Sequence, residues 1–209
     1  MPTTSSKISK KTVRLDCGKY LVRTVTVNDA SERWGRWMAD PDATFMLNSP
    51  PTVMTKREIE SYIKKFDQRS HLLLGIFEKA SSKLIGFLRV DIDEAHGRFL
   101  VSMLIGEPDY RNKGVTQDIT PAFRDYFFET LGLKTMLATA LAHNHSIIHY
   151  LRKTGWNLDK TIPRHVKSHS DGTMIDLCYF SQSRDAWRAW KKQHLEPQRN
   201  AGRPAVDDG

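Results

Sequence analysis

The chain has 209 residues, 39% hydrophobic and 27% charged, which is enough to fill one sizeable core in a single compact domain. No apolar run approaches the ~18 residues that span a bilayer, the first residues lack the apolar centre of a secretory signal, and Cys17 and Cys178 are too few for a disulfide framework, so a cytoplasmic protein with reduced thiols and no membrane partner is expected. Lysine and arginine exceed aspartate and glutamate by 32 to 24, a net charge of +8, but no arginine stripe interleaved with aromatics runs through the chain; this argues against nucleic acid and for attraction to anionic small molecules.

Residues 1–14 are polar and basic, with Lys7, Lys10, Lys11 and Arg14 preceding the first acid, and are expected to form a mobile arm. Residues 196–209 carry Pro197, Gly202, Pro204 and Gly209 without apolar periodicity and are expected to fray as a disordered tail. The folded body is therefore read as 15–195. Tyr20 to Thr26 is β-rich and stops at Asn28-Asp29, whose side chains can cap a helix. Trp34 and Trp37 lie on one side of that helix, which Pro41 ends. Thr55 and Glu58 form a capping-box pattern ahead of Ile59, Tyr62, Ile63 and Phe66 at helical spacing.

Three β-like stretches follow, His71 to Glu78, Leu84 to Ile92 and Arg98 to Ile105, joined by short polar turns as in an antiparallel meander. Ile119, Ala122, Phe123, Tyr126, Phe127 and Leu131 then mark one face of a long helix that Gly132 ends. Because this helix intervenes, a strand from Met136 to Leu141 can lie parallel to the last meander strand through a crossover. A helix from Ser146 to Lys153, a strand starting near Trp156 and another from Met174 to Phe180 complete an α/β body.

The join before the long helix, Tyr110-Arg111-Asn112-Lys113-Gly114-Val115-Thr116, puts a glycine turn and two cations at a helix N-terminus. Unpaired backbone N–H groups, the positive end of the helix dipole and two positive side chains there make an anion site suited to phosphates.

From this join onward the order of motifs resembles the GNAT superfamily of N-acetyltransferases, and within it the ribosomal-protein-alanine acetyltransferase-like branch. Arg111-x-x-Gly114-x-Thr116 matches the first two fixed positions of the family's pyrophosphate loop; Leu131-Gly132-Leu133 follows, and Asn144 precedes Gly155-Trp156 by the branch's eleven residues. The resemblance covers about Lys19 to Trp190. It implies a single-domain GNAT fold, a mixed, mostly antiparallel sheet flanked by helices and splayed between its fourth and fifth strands, here those ending at Ile105 and starting at Met136. It also implies acetyl-CoA as cofactor, with its pyrophosphate on Arg111, Asn112, Lys113, Gly114, Val115 and Thr116. The pantetheine arm would run along the backbone of Met103, Leu104 and Ile105 and touch Asn144.

Several positions depart from the family pattern. Thr116 stands where the loop usually has Gly or Ala, and Pro121 would sit inside a helix that starts near Val115. The usual positions of the catalytic acid hold Ile147 and Leu151, while Ser146 and Tyr150 lie one residue earlier, four apart on one helix face; either this pair faces the thiol or it is structural. Leu100 occupies the place of a frequent glutamate base, and the nearest titratable groups are Asp93, Glu94, His96, His165 and His169. His143, His145 and His149 read as solvated surface, so no metal is assigned. By resemblance, substrate contacts fall around Asp40 to Asn48 and Arg164 to Asp171. The implied activity is transfer of acetyl to a small-molecule amine, an amino sugar or a peptide N-terminus by direct attack in a ternary complex. The alternative is an acyl-CoA-binding or regulatory protein of the same fold that has lost turnover.

Overall fold

The computed structural model describes residues 10–195; the expected tail and the first nine residues of the expected arm lie outside it. The strands are β1 Arg14–Cys17, β2 Tyr20–Thr24, β3 His71–Glu78, β4 Leu84–Asp93, β5 Arg98–Ile105, β6 Thr135–Leu141, β7 Asn157–Lys167 and β8 Met174–Ser183. The helices are α1 Glu32–Ala39, α2 Pro41–Thr44, α3 Lys56–Ile63, α4 Val115–Asp125, α5 His145–Lys153 and α6 Arg184–His194. All eight strands form one sheet in the order β1-β2-β3-β4-β5-β6-β8-β7, antiparallel throughout except for β5 beside β6. This is the expected mixed α/β sheet. Because β1 precedes the first expected strand, the strands on either side of the splay are the fifth and sixth.

Where a mobile arm through residue 14 is expected, residues 11–14 already make tertiary contacts. Val13 is 1% exposed, its N–H donates to Thr24 Oγ1 at 2.9 Å, and Lys11 Nζ pairs with Glu94 at 3.0 Å. The basic composition hid a short strand that covers the edge of β2, a protection that sheet edges need.

The apolar runs of β3 and β4 are buried on both faces, which is why they do not alternate with polar residues, whereas β5 alternates between buried and more exposed positions. Leu72, Leu74 and Ile76 pack toward α4, α5 and α6, joining Phe99, Phe123, Phe127, Leu151 and Trp187 in the larger core. Leu73 and Phe77, with Phe87 and Leu104, meet Trp34, Trp37, Ile59 and Ile63 from α1 and α3. The Thr55–Glu58 capping box opens α3 as expected. Ser31, not Asn28 or Asp29, caps α1; Asp29 instead caps a preceding single turn and pairs with Arg23 at 2.6 Å.

Helix α4 starts at Val115 with Pro121 inside it. Proline there removes one backbone donor, and the chain continues into a wider π turn, Tyr126–Thr130, closed by Leu131 N–H on the Tyr126 carbonyl at 2.9 Å. Arg124, on the buried side, is 1% exposed. Its guanidinium lies over Trp187 at 4.8 Å and near Trp156 at 5.4 Å from the ring centroids, and burial lowers its pKa to about 10.

Candidate active site

Strands β5 and β6 pair only through Arg98–Thr135, Phe99–Met136 and Leu100–Leu137. Beyond Leu100 they part: β6 continues against β8, while residues 101–105 keep β4 on one side and have no strand on the other. A cleft of about 610 Å³ lies there, with Met103 and Leu104 on one wall and Thr139, Leu141 and Leu177 on the other. An open backbone edge inside a sheet is the feature that can accept an extended, amide-bearing ligand.

At the end of β5 the chain turns sharply. A Cβ on Gly106 would fall 2.0 Å from Cδ2 of Trp37, so only glycine lets α1 sit this close. Glu107 is 7% exposed; it accepts from Trp37 Nε1 at 2.9 Å and pairs with Lys83 and with Arg33 at 3.2 Å. Burial would raise its pKa, but these partners, Lys83 foremost, hold it below the ordinary glutamate value.

The loop that follows is the one where an anion site is expected, with one redistribution of parts. Gly114 adopts φ +80° and stands as the N-cap of α4 with no side-chain cap. The first backbone acceptor inside the helix serves Asp118 N–H, so among the described residues the preceding amides at 115–117 have no carbonyl of their own. A Cβ on Gly114 would meet only Gln117 Oε1 at 3.9 Å, so the approach to these amides is open. Lys113 is exposed beside them. Arg111, expected to aim at the same spot, points elsewhere. Its Nε donates to the Ile105 carbonyl at 3.1 Å, and its Nη2 donates to the Gly106 carbonyl at 2.7 Å and to Asp40 at 2.6 Å. The splay leaves those carbonyls without a neighbouring strand, and buried carbonyls take whatever donor is in reach. Asp40, held below the usual carboxylate range chiefly by Arg111, also caps α2.

Val115 is 2% and Leu104 5% exposed; their side chains belong to the cores, so each offers a ligand only its backbone. Asn144 caps α5, its Oδ1 accepting from Ile147 N–H at 3.2 Å, and among the described residues its amide nitrogen has no hydrogen-bond partner. The Tyr150 hydroxyl lies 2.7 Å from Thr120 Oγ1. Thr120 spends its own proton on the Thr116 carbonyl at 2.6 Å, so Tyr150 is the donor of the pair. Ser146, one turn earlier, is exposed.

Of the titratable residues noted in the sequence, His169 alone lines the cleft. Asp93 is occupied by His96 and Arg98, Glu94 by Lys11, and His165 is exposed on β7. Two features go beyond the sequence reading: the bonds made by Asn48, at the end of the expected contact segment, and Arg89. Asn48 clasps the turn after β7, its Nδ2 donating to the Lys167 carbonyl at 2.8 Å and its Oδ1 accepting from His169 N–H at 3.0 Å. Arg89 also lines the cleft; the signal in the sequence was a lone cation inside the apolar run Leu84–Val90.

This geometry agrees with what the chain is similar to. A family model described as an acetyltransferase (GNAT) domain matches residues 19–157. A GCN5-related N-acetyltransferase from Brucella melitensis shares 18% identity at a TM-score of 0.72, over 88% of this chain and 83% of that one. A spermidine N-acetyltransferase from Vibrio cholerae, solved with CoA and spermine, shares 15% at 0.72 over 81% and 98%. A ribosomal-protein-S5-alanine acetyltransferase from Vibrio fischeri shares 16% at 0.70 over 84% and 98%. At these identities the likeness is one of fold. No curated protein matches the chain. The chain belongs to the GNAT acetyltransferase family, and its eight-stranded sheet, parallel only at β5–β6, is that α/β fold.

Proposed function

We propose that the protein is an acetyl-CoA-dependent N-acetyltransferase acting on a primary amine, of the ribosomal-protein-alanine acetyltransferase-like branch. One observation carries the reading: the uncapped start of α4 at Gly114 and the partnerless edge at 101–105 lie at the same end of β5. The residues present fit the cofactor, since the first anchors an anion and the second an amide-bearing arm. The cofactor supplies an acetyl group already activated as a thioester.

In this reading the amides at 115–117, with Asn112 and Lys113, hold the pyrophosphate, and Thr116 adds a hydroxyl. The edge from Met103 through Leu104 to Ile105 aligns the arm, Asn144 steadies it, and main-chain N–H groups there stabilise charge on the carbonyl oxygen. Arg111 acts through the loop, tying it to β5 and α2. Tyr150 holds the proton for the departing sulfur and must turn its hydroxyl away from Thr120 to deliver it; Ser146 is the second candidate on the same helix. Transfer is direct. Burial pushes the Cys17 thiol up to about 11, so it carries no thiolate at neutral pH, and Cys178 is buried in β8. Two free buried thiols accord with a cytoplasmic protein.

The test is calorimetric titration with CoA, together with mass spectrometry of label passed from acetyl-CoA to pools of peptides, amino sugars and small amines. Binding with transfer is expected. Binding without transfer to any amine establishes the non-catalytic acyl-CoA-binding alternative, which the apolar Leu100, Ile147 and Leu151 favour. Absence of binding refutes both.

A further inference from the structure

The cleft extends over the sheet face that α1 and α3 cover, where Tyr62, Phe87, Arg89, Ser102 and His169 line it. Arg89 is the one charged residue in the stretch Leu84–Val90, and its neighbours across the sheet are Leu73 on β3 and Ser102 on β5. Arg89 is exposed, so water in the cleft solvates its guanidinium and its hydrogen-bonding capacity stays available to a ligand. Among the described residues no carboxylate pairs with Arg89. Asp91, two residues along the same strand, is engaged by His71 Nδ1 at 2.8 Å. The cleft lining contains no aspartate or glutamate.

Beside the guanidinium is the Phe66 ring, 5.9 Å from centroid to Cζ, and Tyr62 lines the same cleft. An acceptor entering the cleft therefore meets positive charge and two donor groups. A second ammonium on that acceptor would be repelled, whereas a carboxylate would find a planar fork that bonds both its oxygens. A single guanidinium matches a monoanion in charge.

We propose that the acceptor is a primary amine that also carries a carboxylate, and that Arg89, assisted by the Tyr62 hydroxyl, grips the carboxylate so that the amine faces the gap between β5 and β6. Arg89 is thus a specificity-determining residue, in an inference that rests on the acetyltransferase reading above. It excludes diamines and polyamines as preferred acceptors.

The test uses the full chain and three matched series, ω-amino acids from glycine to 6-aminohexanoate, alkylamines of equal length and the corresponding diamines. At the best chain length kcat/KM for the amino acid should exceed that for the alkylamine by about 10- to 100-fold, the range for hydrogen bonds to a charged group, with the diamine lowest. Arg89→Met should abolish that advantage through KM while leaving CoA affinity as in the wild type. An alkylamine or diamine that matches the amino acid, or an advantage that survives Arg89→Met, overturns the proposal. Binding of the same amines is also followed by saturation-transfer NMR, with and without CoA. Loss of the carboxylate preference in Arg89→Met by this readout supports the assignment even without turnover, and its absence refutes it. The CoA titration separately reports failure of the underlying reading.

Discussion

A methyl group added at Gly106 has nowhere to go, because the Trp37 indole fills the space where it would stand. Gly106→Ala is therefore expected to cost about 1–3 kcal/mol, the range for forcing atoms into a packed core, read as a lowered urea midpoint. It should also loosen the Trp37–Glu107 hydrogen bond beside the cleft. Gly114 differs: its surroundings are open and only its positive φ constrains it. Gly114→Asp should cost about 1 kcal/mol of stability, yet calorimetry should show CoA affinity lowered by about tenfold or more, since a carboxylate would occupy the positive end of α4. Tyr150→Phe keeps the ring against the core and removes the hydroxyl proposed as proton donor. Its kcat should fall about 100-fold, within the range for lost acid catalysis, with KM for acetyl-CoA unchanged; an unaltered kcat would move the role to Ser146.

Elements differ in how openly the sequence declares them. β3 and β5 match their expected bounds and β4 extends one residue past Ile92, because polar turns flank strongly apolar runs. The Thr55–Glu58 box is a local pattern and was equally plain. The candidate site was legible in part: the glycine turn at 114 stands in the sequence and the divergence of β5 from β6 is what the family resemblance implied, whereas the destination of Arg111 came from neither. That arginine turns to Ile105 and Gly106 because the sheet opens there, a tertiary circumstance that loop spacing does not encode. Arg89 was hidden by the same logic, its strand reading as core.

The connection between α3 and β3 offers a pH test at this scale. Burial would raise the Asp67 pKa, but N–H groups of Arg69 and His71 and the Ser70 hydroxyl bring it down to about 2. A folded value below the ordinary aspartate value of 3.8 means that Asp67 stabilises the fold fully above about pH 4, and that this contribution disappears as pH falls toward 2. The difference in Tm between wild type and Asp67→Asn should accordingly be constant near neutrality and vanish in that acid window.

For the molecule as a whole, the two cores lie on opposite faces of a sheet whose halves are joined beside the cleft by three residue pairs, residues 98–100 against 135–137. Arg111 and the Asn48 clasp add polar ties around the opening. A ligand that binds only the folded state and spans the opening should stabilise the whole chain by RT ln(1 + [L]/Kd), about 2.7 kcal/mol at a hundredfold excess over Kd. Thermal melts at rising CoA concentration are expected to show a Tm that climbs with the logarithm of concentration; a fixed Tm would mean that no such bridge forms.

The parting of β5 from β6 after Leu100 also separates two properties that usually travel together. Leu104 has its side chain in the core at 5% exposure, yet the outer margin of its strand has no partner. Deuterium should enter the main-chain sites that face this gap within the time of local breathing, while sites on the β4 side wait for global unfolding. The centre of the sheet would then label in alternation, residue by residue, and filling the gap would slow only the fast half.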